Sequence, residues 1–396
     1  MLSTTYLSIY IHIPFCQWRC NYCDFNTYAG CQHLIKPYVS ALVAEIEYVS
    51  QTISKSKPVH TIYLGGGTPN LLTAEEIKLC IQKIQKSFDV VAQPEISMEM
   101  NPHGLSKKYL SDVKACGVNR LSLGMQSALL EELRLLGRRH TFADTSRSVE
   151  LARQAGFENI NIDIIFGLPA QAIHSLKKTL EAALELEPPH LSLYALTVEE
   201  GTPLASLIKR GILPAPDDDT VGDMYAMAME KLEKKGYIQY EISNWALDQA
   251  HECQHNLQYW RNAEYIGFGA GAHSHYMNYR WENAEGIRDY IERTAIYQDE
   301  SKFFSPAALR QSISSFNDQL GETMMMGLRL TDEGISARKF EERFGATLEK
   351  IYGNEITFLC AQGLLIWVEK EDGKHLKLTP RGRMLGNQVF MQFLKD

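Results

Sequence analysis

The chain lacks several features that would point to a membrane or to secretion. No apolar stretch among its 396 residues approaches the roughly 20 residues that a membrane-spanning helix needs. Residues 1–5 contain no basic region followed by an apolar run, so no secretory signal is expected. A net charge of −8 disfavours nonspecific binding to nucleic acid or to anionic lipid. We therefore expect a cytoplasmic protein that binds no nucleic acid and has no transmembrane segment.

Cysteine is also scarce, at eight residues, but three of these lie close together as Cys16-x3-Cys20-x2-Cys23. Three thiolates leave one iron of a [4Fe–4S] cubane open, and S-adenosylmethionine (SAM) can chelate that iron. A structural zinc site is the alternative, with His12 or Cys31 as the fourth ligand that zinc requires. A disulfide is disfavoured because an odd triplet cannot pair internally.

Apolar, β-branched runs alternate with helical patterns over the first half of the chain. The predicted strands are Leu7–Ile13, His60–Leu64, Glu95–Met100, Arg120–Met125, Ile160–Phe166 and His190–Leu196. The predicted helices are Pro37–Thr52, Thr73–Phe88, Lys107–Ala115, Ala143–Gln154 and Ile173–Leu186. This alternation predicts an α/β fold, a partial (β/α)6 barrel whose chemistry gathers at the carboxyl ends of the strands.

The last quarter of the chain has a different pattern. Helices are predicted at Pro306–Met326, Ile335–Phe344 and Leu348–Gln362, followed by a hairpin around Asp372-Gly373. This order suggests a winged-helix-like α+β accessory domain. Its ten Lys and Arg against eight Asp and Glu from residue 334 onward do not favour DNA binding. We predict a barrel over residues 1–250, a segment closing it over 251–305, and the accessory domain over 306–396.

Polar or glycine-rich residues follow the predicted strands. Gly65-Gly66-Gly67-Thr68-Pro69 comes directly after the second strand, where glycine permits a close backbone approach to a ligand. Glu99, Gln126 and Asp163 end or lie within later strands, and Arg138 follows in a loop. Such side chains can hold ribose hydroxyls and a methionyl carboxylate. Each taken singly is as well explained as a satisfied structural polar group.

The run Tyr10-Ile-His-Ile-Pro-Phe-Cys16 with the cysteine triplet and Gly-Gly-Gly-Thr-Pro resembles radical SAM proteins related to oxygen-independent coproporphyrinogen III oxidase. The resemblance covers nearly the whole chain. It implies that Cys16, Cys20 and Cys23 bind the cluster. It implies SAM contacts at Tyr10, Gly66, Gly67, Thr68, Glu99, Gln126, Arg138 and Asp163, with Tyr22 and Ala195 as lesser candidates.

Two departures separate this chain from the oxidases. The oxidases resemble one another in having a further cysteine two residues after the third, and this chain has Phe25 at that position. The oxidases also have an N-terminal extension before the first strand, whereas here Tyr10 comes almost at once. By contrast, residues 255–260, His-Asn-Leu-Gln-Tyr-Trp, are similar to the His-Asn-x-x-Tyr-Trp signature of the HemW-like haem chaperones. That branch implies haem contacts at His255, Asn256, Tyr259 and Trp260.

An imidazole is the commonest axial ligand of haem iron, and flat aromatic rings suit a macrocycle. The alternative is that His255 and Asn256 tie a loop over the barrel mouth by hydrogen bonds, with the aromatic rings as core.

These observations predict a haem chaperone that binds a [4Fe–4S] cluster, SAM and haem, and transfers haem to acceptor proteins such as respiratory haem enzymes. Peripheral membrane contact would come only through those acceptors. The alternative is an enzyme, coproporphyrinogen III dehydrogenase, that converts propionate side chains to vinyl groups. Whether SAM is cleaved in the function stays open. A DNA-binding regulator with the cluster as redox sensor is a remote third reading.

Overall fold

Six parallel strands form the centre of the protein in a computed structural model that describes residues 6–53, 57–295 and 303–394. They are β1 Leu7–Ile13, β2 Val59–Gly66, β3 Val90–Met100, β4 Arg120–Gln126, β5 Asn159–Phe166 and β6 His190–Ala195. Each pairs in parallel with the next in chain order. The six predicted strands and the α/β barrel topology are confirmed.

Helices connect the strands and cover the outside of the sheet. They are α1 Ile35–Thr52, α2 Ala74–Ser87, α3 Lys107–Ala115, α4 Leu130–Leu135, α5 Phe142–Gln154, α6 Ile173–Glu185, α7 Pro203–Lys209, α8 Asp218–Lys234, α9 Gln254–Trp260 and α10 Ile287–Ala295. Short 3-10 turns lie at Gln32–Leu34, Pro69–Leu71 and Gln249–His251. Helix α2 begins with the predicted capping box, since Thr73 and Glu76 each accept a hydrogen bond from the other's backbone N–H.

The strands alternate between apolar and polar residues over most of their length. On β1, Ile9 and Ile11 are fully buried in the core shared with the helices, whereas Ser8, Tyr10 and His12 lie on the opposite face. Successive residues of a strand point to opposite faces, so every second side chain enters the barrel interior. The other strands repeat the pattern with Thr61 and Tyr63, Glu95 and Glu99, Arg120 and Ser122, Asn161 and Asp163, and Ser192 and Tyr194. The barrel interior is therefore polar and its outer layer apolar.

Further strands extend the sheet on both sides. They are β7 Ile238–Glu241, β8 Asn244–Ala246, β9 Tyr265–Phe268, β10 His273–Tyr276, β11 Tyr279–Asn283 and β12 Ala308–Ile313. Strand β9 pairs in parallel with β1 and leads into the antiparallel strands β10 to β12, while β8 and β7 follow β6. Within the described residues the sheet has twelve strands and remains open, with β12 and β7 at its edges.

The predicted helix over Pro306–Met326 is wrong in its first part. Residues Ala308–Ile313 form β12, which pairs with β11, and the helix begins only at Phe316. Ser315 and Asp318 form a capping box there, which sets the start of the helix. Tertiary pairing with a neighbouring strand thus decided the conformation of a segment whose local pattern was ambiguous.

The C-terminal module has its own apolar core, which includes Leu320, Phe340 and Phe393. Its helices are α11 Phe316–Gly327, α12 Ala337–Phe344, α13 Leu348–Ala361, α14 Pro380–Met384 and α15 Gly386–Met391, and its strands are β13 Ile335–Ser336, β14 Leu365–Lys370 and β15 Gly373–Leu378. The sheet order β13-β15-β14, with the hairpin turning at Asp372-Gly373, fits the predicted winged-helix-like arrangement.

Backbone hydrogen bonds tie this module to the barrel. The N–H of Thr331 donates to Tyr240 O at 3.0 Å, and that of Ile242 donates to Arg329 O at 3.2 Å. These bonds join β7 and the residue after it to the segment that follows α11, so this segment covers one edge of the large sheet. In the described ranges, no helix is both long and apolar enough to cross a membrane.

Candidate functional site

A cavity of about 460 Å³ opens at the carboxyl ends of the parallel strands. Its walls come from the loop after β1, the ends of β2 to β6 and the loop that carries Arg138. The lining residues with side chains or backbone of chemical interest are Cys16, Trp18, Cys20, Tyr22, Cys23, Phe25, Tyr63, Gly66, Gly67, Thr68, Glu99, Ser122, Gln126, Arg138, Asp163, Tyr194 and Ala195. Of the predicted SAM contacts, only Tyr10 is absent from this wall; its ring lies 6.2 Å from that of Tyr63.

The loop that carries the cysteines is held at both sides. Asn21 Nδ2 donates to Leu135 O at 2.9 Å, and Asn26 Nδ2 donates to Ala270 O at 3.0 Å. His12 Nε2 bonds Asn26 O at 2.9 Å, while His12 Nδ1 bonds the Tyr10 hydroxyl at 3.0 Å. His12 therefore braces the loop and does not line the cavity, which removes it as an evident fourth ligand. The loop is thus anchored to the end of α4 on one side and to the segment after β9 on the other.

All three thiols of the triplet line the cavity and are free. Thr68 Oγ1 lies 3.7 Å from Cys16 Sγ, and Arg138 Nη1 lies 3.5 Å from Cys20 Sγ. Burial raises the pKa of the Cys16 thiol. Cys31 lies outside the cavity wall, with its Sγ 3.7 Å from Ala29 O.

Within residues 6–53, 57–295 and 303–394, no three His, Cys, Asp or Glu side chains are arranged to hold a single metal ion. Thiols that share a cavity without converging on one point suit a cluster in which each thiolate binds a different iron.

Gly66 and Gly67, at the end of β2, have no room for a side chain because other parts of the protein lie against them. A Cβ on Gly66, whose φ is +111°, would lie 2.5 Å from the His12 ring, and one on Gly67 would lie 2.6 Å from Phe15 O. The N–H groups of Gly67 and Thr68 donate to Ile13 O and Phe15 O, both at 2.8 Å. The absence of side chains thus lets the turn pack against the end of β1, where Cys16 begins the cysteine loop.

Glu99 connects this turn to the cavity. Its Oε2 accepts from Gly66 N and its Oε1 accepts from the Tyr63 hydroxyl, each at 3.0 Å. Burial, with the neighbouring charge of Asp163 as a second cause, raises the pKa of Glu99 to about 7. Asp163 accepts from Ser122 Oγ at 3.0 Å and from Asn161 Nδ2 at 2.7 Å, and burial raises its pKa.

Two polar groups beside these carboxylates lack partners among the described residues. Gln126 Oε1 and Arg138 Nε are buried without a hydrogen bond, although Arg138 Nη2 donates to Gly124 O at 2.9 Å. Gln126 also has a φ of +66°, in a region that residues other than glycine rarely occupy. Unsatisfied buried groups and backbone strain cluster at ligand sites, and both occur here on the cavity wall.

Helix α9, which carries the His-Asn-x-x-Tyr-Trp signature, lies at the opposite end of the barrel. His255 Nδ1 lies 2.8 Å from Thr61 Oγ1, near the amino end of β2, and His255 Nε2 lies 3.0 Å from the Tyr259 hydroxyl. Its ring stacks on Tyr63 with centroids 5.0 Å apart. Burial lowers the pKa of His255 to about 3. His255 is thus held by hydrogen bonds, as the alternative to haem binding predicts, but at the amino ends of the strands. The prediction that it ties a loop over the barrel mouth is wrong.

The start of α9 is held by Glu95 from β3. Glu95 accepts from Gln254 N at 2.9 Å and from His255 N at 3.3 Å, and Cys253 Sγ lies 3.6 Å from the same carboxylate. These contacts satisfy the first N–H groups of the helix, as a capping residue would.

The other end of α9 faces the C-terminal module. Trp260 packs beside Leu330, and the guanidinium carbon of Arg329 lies 5.1 Å from its ring centroid. Asn256 is partly exposed on the same helix. The four signature residues thus occupy one helix, and none of them lines the cavity at the carboxyl ends of the strands.

Residues 10–183 match the Radical SAM superfamily, and residues 315–385 match the HemN C-terminal domain. Over 98% of its length the chain is 37% identical to the heme chaperone HemW of Lactococcus lactis, covering 97% of that protein. It is 38% identical to the heme chaperone HemW of Bacillus subtilis over 98% of this chain and 99% of that one.

This chain belongs to the HemW family. Among solved structures, coproporphyrinogen III oxidase (HemN) of Escherichia coli, a radical SAM enzyme, superposes with a TM-score of 0.82 at 24% identity. That match covers 99% of this chain and 90% of the oxidase and concerns the fold. Membership in the HemW family and the radical SAM fold, both predicted from the motifs, are confirmed.

A radical SAM fold implies a [4Fe–4S] cluster and SAM, and the cavity fits both. Its wall offers three thiols, a guanidinium, two buried carboxylates and unpartnered polar atoms, which complement an iron cluster and a zwitterionic, hydroxyl-bearing ligand. Tyr63, Ser122 and Tyr194 also line the cavity, although the resemblance to radical SAM proteins did not predict them as SAM contacts. The period-two polar pattern of β2, β4 and β6 is the signal that identifies them.

Proposed function

We propose that this chain is a haem chaperone that binds a [4Fe–4S] cluster, SAM and haem, and transfers haem to acceptor proteins such as respiratory haem enzymes. The proposal rests on similarity to proteins named heme chaperone HemW over 98% of this chain. The cavity supports its cofactor part, because the three thiols of the motif meet there.

The cavity residues have distinct parts in this proposal. Cys16, Cys20 and Cys23 would hold the cluster, and the guanidinium of Arg138 would pair with the SAM carboxylate. Glu99 and Asp163 would accept hydrogen bonds from the amino group or ribose hydroxyls of SAM. When bound, the cluster and SAM supply a centre able to generate a radical. The residues themselves bind and orient these groups and exclude water from them.

Haem ligation by His255, with Asn256, Tyr259 and Trp260, stays a prediction. Ligation of iron by His255 would require its ring to give up a hydrogen bond to Thr61 or to Tyr259, and α9 to move away from Tyr63. A low pKa keeps this imidazole neutral, which is the form that binds iron. The cost is that buried partners would be left unpaired.

Titration of the full-length, anaerobically reconstituted protein with haem tests the proposal. We expect a saturable Soret absorbance change, followed by transfer of haem to an apo haem enzyme. The same titration on Cys20→Ala protein shows whether the cluster is required. Absence of saturable binding to the reconstituted protein would contradict the proposal.

The oxidase alternative has its own assay. We expect no conversion of coproporphyrinogen III to the divinyl product under anaerobic, reducing conditions with SAM, since Phe25 replaces the further cysteine of the oxidases. Robust formation of the divinyl product would replace the chaperone proposal. We place the protein in the cytoplasm, with membrane contact arising through its acceptors.

A further inference from the structure

Two aromatic side chains line the cavity at the cysteine loop, and exposed basic side chains lie beside them. Phe25, two residues after Cys23, lines the cavity with 62% of its surface exposed. Trp18 lines the same cavity, its ring in contact with the exposed His103 at a centroid distance of 6.1 Å. We call Trp18, Arg19, Phe25 and Arg139 the rim.

The two arginines of the rim are attached to its aromatic residues. The guanidinium carbon of Arg139 lies 4.6 Å from the Trp18 ring centroid, and Arg19 Nη2 donates to Phe25 O at 3.2 Å. Stacking and hydrogen bonding hold these long arginine side chains in place. The arginines would therefore lose less conformational entropy when they pair with a ligand.

The charges at the mouth are mixed. Asp24 and Glu199 also line the cavity, while the arginines lie on the cysteine loop and beside Trp18. An anionic ligand would therefore place its negative groups over Arg19 and Arg139 and away from the two carboxylates. A ligand with a flat apolar face and carboxylate groups complements aromatic rings that have arginines beside them.

We propose that haem docks on the rim, with its macrocycle against Phe25 and Trp18 and its propionates paired with Arg19 and Arg139. This inference rests on the proposed chaperone function and names the surface that serves it. Aromatic rings provide apolar stacking area, and guanidinium groups pair with carboxylates by charge-assisted hydrogen bonds. Phe25 on the rim is 62% exposed, whereas His255, which is part of α9, is only 1% exposed.

Haem titration of two rim variants tests the site. In full-length reconstituted protein we expect Phe25→Ser and Arg139→Glu each to weaken haem binding about tenfold, from lost stacking and lost ion pairing respectively. Matched controls are Phe358→Ser, at a phenylalanine 56% exposed in the C-terminal module, and Arg310→Glu, at a side chain 84% exposed on β12. Both controls should bind haem within about twofold of the unmodified protein.

A second probe separates ion pairing from general affinity. Haem dimethyl ester has no free carboxylates, so the unmodified protein should bind it more weakly than haem. In Arg139→Glu protein the affinities for haem and for its dimethyl ester should be closer to each other. In Phe25→Ser protein the affinity for both ligands should fall by the same factor. Circular dichroism and iron content measured on each preparation establish that the variants are folded and carry the cluster.

The outcomes distinguish this inference from the function on which it rests. Unchanged haem affinity in both folded rim variants would overturn the rim site and leave the chaperone proposal standing. Loss of binding in a folded His255→Ala protein, with the rim variants unaffected, would place haem at α9 instead. Failure of the unmodified protein to bind haem would overturn both.

Discussion

Strand β3 carries two glutamates that face the barrel interior from opposite ends. Glu99 lines the cavity that also holds Arg138, whereas Glu95 accepts hydrogen bonds from the start of α9, borders a second cavity and has Arg120 in its surroundings. Four residues at about 3.3 Å each place them roughly 13 Å apart. Residues of the same type thus line the candidate site at the carboxyl end and anchor a helix at the amino end.

The two ends differ in what surrounds their polar groups. At the amino end, Glu95 accepts from the first N–H groups of α9, and both ring nitrogens of His255 have partners. Arg120 Nε, at the start of β4, nevertheless lacks a partner among the described residues, as Gln126 Oε1 and Arg138 Nε do at the cavity end. The two groups at the cavity end lie on the wall of an open cavity, where a ligand or water can complete them.

The largest effect is expected where the cavity end loses a thiol. Replacing Cys16, Cys20 or Cys23 by Ala should abolish the visible charge-transfer absorbance and the bound iron, because each thiolate holds one iron. Cys31→Ala, Cys80→Ala and Cys116→Ala serve as controls and should retain both. Full iron content in Cys20→Ala protein would contradict the cluster assignment.

The amino end should respond in stability. Glu95→Ala removes the acceptor for the start of α9 and leaves the buried Arg120 less compensated, so we expect a loss of ~3 kcal/mol in the free energy of unfolding. Glu47→Ala is the control, since Glu47 is 57% exposed in its ion pair with Lys83 and should cost ~0.5 kcal/mol. Urea unfolding measures both; equal losses would show that Glu95 is not an anchor.

A pH dependence should belong to the cavity end. Because the pKa of Glu99 is raised to about 7 in the folded protein, the folded state binds more protons than the unfolded state between its ordinary pKa and 7. Stability should therefore fall as pH rises through that window. Glu99→Gln should remove ~2 kcal/mol of this fall between pH 5 and pH 8, measured by urea unfolding of protein without cluster. If the stability of the variant and of the unmodified protein depended on pH in the same way, the raised pKa of Glu99 would be refuted.

The smallest effect concerns SAM affinity. Asp163→Asn keeps the shape of the side chain and removes its charge, so SAM should bind about tenfold more weakly. Asp112→Asn, at an exposed i,i+4 pair on α3, is the control. Equilibrium dialysis with SAM measures both variants, and equal affinities would remove Asp163 from the site.

Local sequence patterns predicted most of the strands and helices, because these elements depend mainly on residues that are close together in the sequence. Strand β1 and helix α3 have the bounds that the sequence predicts, and the capping box of α2 starts where Thr73 and Glu76 require. The segment before Phe316 failed because its strand depends on pairing with β11. Tyr63 and Tyr194 were missed among the cavity residues, although their alternation with buried apolar residues is visible in the sequence.

What the sequence by itself determined is therefore the cysteine spacing, the order of the strands, and the parity that decides which side chains enter the barrel. These follow from bonding and periodicity along the chain. Only the tertiary structure decided that α9 lies at the amino end of the barrel, where His255 meets Thr61 across 194 positions of sequence. Such a contact depends on the shape and hydrogen-bonding groups of two distant segments, and no local pattern encodes which surfaces will fit together.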